Sequence, residues 1–501
     1  MNHHVRACHV LVLSVVAGFA LLTCVAGCSN KMYLMPTPNI YVRPPGSTQS
    51  AQYPPDVFDD VPPALRTSDV DVLYATDRTR NDKKDGGIEY STKRSRSLAF
   101  GECKIALGPT GKDKDEPAMT WDELVRASRT RDRSPDVPVE IMSMTELARF
   151  PSTPPPIVSP TDPTVKPQWQ AEQDAAASIF RREIAARLAK SKTKEVFLYV
   201  HGVANSFDDA AQVGGMFWHF IGRRGVPIVY SWPAGGGGLL RGYTYDRESS
   251  EFTVYHLKQF IRLLASCPEV ERINLIAHSR GTDVLTSALR ELHLEQRGAV
   301  AGAKAAMAAI GSNDSGSEAG ATTLPAAVAA AVPNTMAAFK FGTLILAAPD
   351  IDMEVFTQRL VSDRIGQAVE RIVIYVRADD KAIGTANSLF GGFMRAGALT
   401  SDFFTPEEVQ FIRLATKLQI VDVRVKDAGP FGHSYFYANP AVSADVLLVL
   451  RDRAQPGASG RPLGVGENGF WFIDDSYFAK GAPTGAAPAP APVASQPAAS
   501  K

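Results

Sequence analysis

Ser279 lies in the stretch NLIAHSRGTD, residues 274–283, where an apolar run ends in a serine flanked by small residues and polarity returns at once. A serine hydroxyl is a weak nucleophile near neutral pH. Attack on a carbonyl therefore needs a base within hydrogen-bond reach and a third group to orient that base. A nucleophile at a sharp strand-to-helix turn also needs small residues two positions before and after it, where larger side chains would strike backbone. Ala277 and Gly281 fill those positions. The rival reading is a serine that ends a strand and caps the helix opening at TDVLTSALREL. The fully apolar strand before it and the helix after it favour the nucleophile.

The other partners of such a serine should follow strand ends, so the strands come next. DVLYAT near 70, CKIALG near 103, EVFLYV, VPIVYSW, RINLIA, FGTLILAAP, RIVIYVR and LQIVDVRV read as strands. From EVFLYV onward they alternate with helices starting near Ser206, Asp246 and Thr282, and the last helix lies near AVSADVLLVLRDR. Before them, Ala176, Phe180, Ile184 and Leu188 fall at fourfold spacing on one helical face. Strands apolar on both faces and separated by amphipathic helices predict an α/β fold with a mostly parallel sheet covered on both sides. In such sheets ligands sit at the carboxyl ends of the strands.

The polar residues at those ends are few: His201 and Gly202, Trp232 and Pro233, Ser279, Asp350, Asp379 and Asp380, and His433. His433, in the glycine-flanked loop GPFGHSYFY, is the best-placed base. Asp380 is the preferred acid, with its neighbour Asp379 and the earlier Asp350 as alternatives, because adjacent side chains point differently and only one can meet the histidine. An oxyanion needs fixed N–H donors, and Val203 and Arg280 are the expected sources. His201 is expected to orient its loop without titrating, and Asn205 and Ser206 to cap the next helix. His256 and His293 fall inside predicted helices, and His278 is expected to point away from the serine. GVGENG, residues 464–469, has neither a preceding strand nor a following helix, and PAGGGG lacks the lysine of a phosphate loop, so both are chance matches.

With 53 basic against 53 acidic side chains, there is no electrostatic footprint for nucleic acid. No metal-ligand spacing occurs, so neither a metal nor a cofactor is expected. Residues 1–27 read as a secretory signal. VAGC at 25–28 resembles a bacterial lipobox, with Cys28 as the lipidated new N-terminus. An ordinary signal with an incidental cysteine is the alternative. Two acyl chains anchor stably, and Ser29 in the next position favours the outer membrane. Residues 28–66 then form a proline-rich tether without fold, and residues 67–480 the catalytic domain. Insertions are expected at about 110–170 and 298–335, and 481–501 is a low-complexity tail. Cys103 and Cys267 are expected to be buried free thiols, with one disulfide as the alternative.

The stretches VLYATDR, FGECKIALG, YVHGVANSF, YSWPAGG, YDRESS, LIAHSRG, LAAPDID, YVRADDKA and GHSYF together span roughly 69–445. In them the chain resembles the bacterial alpha/beta-hydrolase proteins of the domain of unknown function 900 family, classed with esterases and lipases. The resemblance implies Ser279, Asp380 and His433 as a triad. Where that family commonly has methionine this chain has Arg280, which keeps the backbone donor and adds a charge that could alter substrate choice. The expected protein is an envelope-anchored, esterase- or lipase-like serine hydrolase working through an acyl-enzyme on an ester or lipid substrate. A non-catalytic lipoprotein that uses the scaffold for binding, or an acyltransferase, is the alternative.

Overall fold

A computed structural model of the chain describes residues 31–36, 57–111, 117–129, 136–237, 239–312, 333–389, 393–415, 417–458, 461–466 and 469–478. Cys28, the expected signal and the low-complexity tail lie outside the described residues. Among those described, no helix is long and apolar enough to cross a membrane.

Twelve of fourteen strands form one sheet. In chain order they are β1 (Met32–Tyr33), β2 (Asp69–Asp82), β3 (Ile88–Leu107), β4 (Pro138–Arg149), β5 (Ile157–Ser159), β6 (Asp162–Val165), β7 (Glu195–Val200), β8 (Val226–Ser231), β9 (Arg272–His278), β10 (Phe341–Ala347), β11 (Arg371–Val376), β12 (Leu418–Val423), β13 (Gly464–Val465) and β14 (Trp471–Ile473). The sheet runs β1-β4-β3-β2-β8-β7-β9-β10-β11-β12-β14-β13, and β5 and β6 pair separately. From β2 to β14 every neighbouring pair is parallel, while β2–β3, β3–β4, β4–β1 and β13–β14 are antiparallel. The α/β class expected from the alternating pattern is therefore the observed one.

Strand side chains alternate between faces, and the two faces carry separate cores. Tyr199, Val229, Ile276, Ile345, Val373 and Val421 pack with the helices Phe207–Phe220 and Pro440–Asp452. Leu198, Ile228, Leu275, Leu344, Ile374 and Ile420 pack with Pro167–Lys190, Leu239–Ala265 and Gly281–Ser312. In the first of these helices Ala176, Phe180, Ile184 and Leu188 are buried, on the face that their spacing indicates. Cys103 belongs to one core and Cys267 to the other, and both are free and buried.

Two segments differ from their sequence reading. Within the supposed insertion at 110–170, residues 138–149 form β4 of the main sheet. In the supposed tether, β1 pairs with β4, and Val57, Phe58 and Val61 are buried in the first core. The alanine-rich stretch after 298 continues the helix from Gly281 to Ser312, and residues 313–332 lie outside those described. Of GVGENG, Gly464 and Val465 form β13, which pairs with β14, and Gly466 N–H donates to the carbonyl of Phe470 at 2.8 Å.

Candidate active site

Ser279 follows β9 directly and precedes the helix Gly281–Ser312. Its φ is +52°, a left-handed conformation that a residue with a Cβ adopts at a cost. The turn is held from several sides: Ser279 N–H donates to Ala347 O at 2.9 Å, and its carbonyl accepts from Thr282 N–H at 3.0 Å and Thr282 Oγ1 at 2.6 Å. A Cβ on Gly281 would lie 2.3 Å from His201 O and 2.6 Å from Val200 O, so the helix meets the end of β7 only through a glycine. Gly202 is equally confined, since its Cβ would fall 2.7 Å from Ser279 Cβ. Small residues thus bring the β7 and β9 ends together at the serine, which is 3% exposed.

The acid and the base come from the next strands. Asp380 follows β11 and caps the helix Lys381–Leu389: its Oδ1 accepts from Ala382 N–H and Ile383 N–H, each at 3.0 Å. Its Oδ2 accepts from His433 Nδ1 at 2.7 Å. That bond places the ring proton on Nδ1 and leaves Nε2 as a base. The His433 loop is anchored by the next turn, where Tyr435 OH donates to Tyr375 O on β11 at 3.0 Å.

The two other acids are engaged elsewhere. Asp379 is 75% exposed at its side chain and paired with Arg377 at 2.7 Å. Asp350 is buried, accepts from Tyr243 OH at 2.6 Å, and has Arg395 3.5 Å from its other oxygen. Among the described residues the structure brings Asp380 to His433 by a hydrogen bond; none joins Ser279 Oγ to the His433 ring. Serine–histidine contacts of this kind are often open without substrate.

The backbone N–H groups of Val203 and Arg280 donate to no described group. They flank the serine from the β7 loop and from the elbow itself. The Arg280 side chain turns away from any substrate: it is 4% exposed, paired with Asp283 at 2.9 Å, and donates to Asp350 O at 3.2 Å and Ser250 Oγ at 3.3 Å. The charge expected to bear on substrate choice is therefore spent inside the protein.

His201 is wholly buried and stacked on Trp232, with ring centroids 5.3 Å apart. Its Nδ1–H donates to Gly202 O at 2.8 Å. Burial, reinforced by Arg78, pulls it down to about 3, so it is neutral. Ser206 caps the helix Phe207–Phe220 with Asp209 in a capping box, and Asn205 Oδ1 instead accepts Gly202 N–H at 3.2 Å. His256 is buried against Asp77 at 2.9 Å, and His293 against Thr335 at 2.7 Å.

His278 has a further contact that its position in the strand does not announce. It lies against the base: its Nε2 donates to His433 O at 3.1 Å, and its ring stacks on Phe436 with centroids 4.5 Å apart. Burial first and His433 second hold it well below the ordinary histidine range, so it is a neutral donor that fixes the His433 loop. The signal is its place one residue before the serine, at the last strand position of β9.

Among the described residues no group of His, Cys, Asp or Glu is arranged to hold a metal. The family model described as alpha/beta hydrolase of unknown function (DUF900) matches residues 176–453. A search of curated proteins found no match.

Proposed function

Since the chain belongs to the DUF900 family of alpha/beta hydrolases, we propose that it is a serine hydrolase that cleaves ester bonds through an acyl-enzyme. The observations that carry this reading are a serine at φ +52° between β9 and its helix and, after the following strands, the imidazole of His433 with its Nδ1 2.7 Å from the buried carboxylate of Asp380. In the reaction His433 Nε2 takes the proton of Ser279 Oγ as that oxygen bonds to the ester carbonyl. The N–H groups of Val203 and Arg280 receive the resulting oxyanion. Collapse expels the alcohol, which takes the proton from the imidazolium. Water, deprotonated by the same nitrogen, then releases the acid and restores the serine. Asp380 holds the tautomer and faces the imidazolium that forms.

The lipobox-like VAGC supports an acylated Cys28 and a place on the outer membrane of a bacterial envelope. The substrate is then an ester or lipid met at that surface. Turnover of short p-nitrophenyl esters by the wild type, lost in a folded Ser279→Ala protein, tests the reaction. A second reading, binding without turnover, is favoured by the open Ser279–His433 contact. It predicts that the wild type retains an envelope extract yet hydrolyses no ester.

A further inference from the structure

The reaction above leaves two buried charges beside the oxyanion loop without a task. Arg78, in the second half of β2, is wholly buried, and its guanidinium donates to Asn205 O at 2.8 Å, Ser231 Oγ at 2.9 Å, Ala234 O at 3.0 Å, Ser91 O at 3.4 Å and His201 Nε2 at 3.4 Å. All five acceptors are neutral, and among the described residues no carboxylate lies at ion-pair distance. Burial pulls this guanidinium down to about 10. A cation taken out of water without a touching anion is costly, and proteins keep such groups where the geometry they impose is needed.

Asp77, the preceding residue on β2, bears most strongly on that charge but gives its carboxylate to Thr253 and His256, and the next anion is one peptide away. Asp246, 2% exposed, accepts Gly235 N–H at 2.8 Å and Gly236 N–H at 3.2 Å on Oδ1, and Ala204 N–H at 2.8 Å on Oδ2. The peptide between Ala234 and Gly235 therefore gives its carbonyl to Arg78 and its N–H to Asp246. Hydrogen bonds chained in this way polarise one another. The same two side chains grip the turn after β7, through Ala204 N–H on one side and Asn205 O on the other. Within that turn Ala204 has φ +56°, a conformation that must be held. The residue just before Ala204 is Val203, whose free N–H is one of the two oxyanion donors.

We propose that Arg78 and Asp246 form a peptide-bridged ion pair that sets the direction of the Val203 amide, making both positioning residues of the oxyanion hole. The proposal rests on the hydrolase reading for its catalytic consequence and on the hydrogen bonds alone for the loop it fixes. It gives a task to VLYATDR and YDRESS, the two stretches that carry these residues. It also links the PAGGGG rim to the site as a strut.

Full-length Arg78→Lys and Asp246→Asn proteins test it in two ways. Both replacements keep side-chain size, but lysine cannot reach five acceptors and asparagine replaces one accepting oxygen with a donor. In steady state with p-nitrophenyl acetate, kcat is expected to fall by about 10²- to 10³-fold while KM stays within about threefold. A trifluoromethyl ketone, which becomes an oxyanion on the serine, should lose affinity in parallel with kcat. Hydrogen exchange of the peptides covering 202–206 and 233–237 should speed by at least about tenfold, a readout that needs no catalysis. A folded variant that exchanges and turns over like the wild type overturns the proposal. Unfolding of both variants overturns it as well, because the pair would then carry the fold and not the site. An inactive wild type whose variants exchange faster removes the hydrolase reading and leaves the strut. An active wild type whose variants are unchanged removes the strut alone.

Discussion

Asp380 divides its carboxylate between two tasks: Oδ2 takes the Nδ1 proton of His433 at 2.7 Å, and Oδ1 caps the helix Lys381–Leu389 through two N–H groups at 3.0 Å. The cap fixes the carboxylate on the helix axis and so fixes the direction in which the imidazole is held. Structure and proposed chemistry are joined in one side chain, and they can be separated by choice of substitution. Asparagine caps a helix about as well as aspartate. Asp380→Asn should therefore keep the wild-type melting temperature within a few degrees while kcat falls by about 10⁴-fold. Asp380→Ala should lose about 1 kcal/mol of stability as well. Asp379→Asn, at an exposed position, should leave kcat unchanged; equal losses at 379 and 380 would reassign the acid.

The elbow makes opposite predictions for two neighbouring residues. Ser279→Gly removes the Cβ from a left-handed backbone and is expected to stabilise the protein by about 1 kcal/mol while abolishing turnover. Gly281→Ala drives a methyl group into the carbonyls of His201 and Val200 and should cost about 1–3 kcal/mol. Denaturant midpoints of the two variants measure both. A destabilised Ser279→Gly would mean that the turn is unstrained.

Arg280 follows the serine directly, and its guanidinium is buried. Arg280→Met should leave kcat/KM within about threefold for acetyl and longer acyl esters alike, since the backbone donor is kept. It should cost about 1–3 kcal/mol of stability through the lost bonds to Asp350 O and Ser250 Oγ. Asp283 keeps its contact with Arg359 at 2.5 Å. A change in acyl preference would place the side chain in the substrate's path.

Acid should unfold the protein through its neutral histidines. His201 is held at about 3, and His278 well below the ordinary value of 6.5, chiefly by burial. The unfolded chain binds protons at both near 6.5, which the folded chain refuses. Their contribution is full above 6.5 and is lost progressively as pH falls towards 3. His201 costs about 2 kcal/mol by pH 5, and His278 adds to the loss in the same direction. Urea midpoints at pH 7 and pH 5 should show the drop, and His201→Gln should make it shallower. An unaltered slope in that variant would mean that His201 is protonated in the fold.

Much of this arrangement is legible in the sequence. The parallel strands announce themselves as short apolar runs such as VFLYV, residues 196–200, because burial on both faces leaves little room for polar side chains. The residues after each run then gave a short list in which Ser279, Asp380 and His433 appear. What escaped was outside that pattern. β4 is half-buried, so its PVEIMSMTELAR mixes polar and apolar side chains, and β14 has only three residues. That His278 packs on His433 and Phe436 is not legible, because strand alternation describes a side chain's direction but not what packs there. Arg78 and Asp246 were quoted within their motifs without a task, since hydrogen bonds to backbone carbonyls and amides leave no mark on side-chain spacing.

The central claim, that Ser279 is the nucleophile, is tested most directly by treating the protein with a fluorophosphonate and mapping the modified peptide. The account predicts one adduct, on the peptide that holds NLIAHSRGTD, and none on Ser279→Ala. A wild type that stays unmodified, or a variant labelled to the same extent, would contradict it.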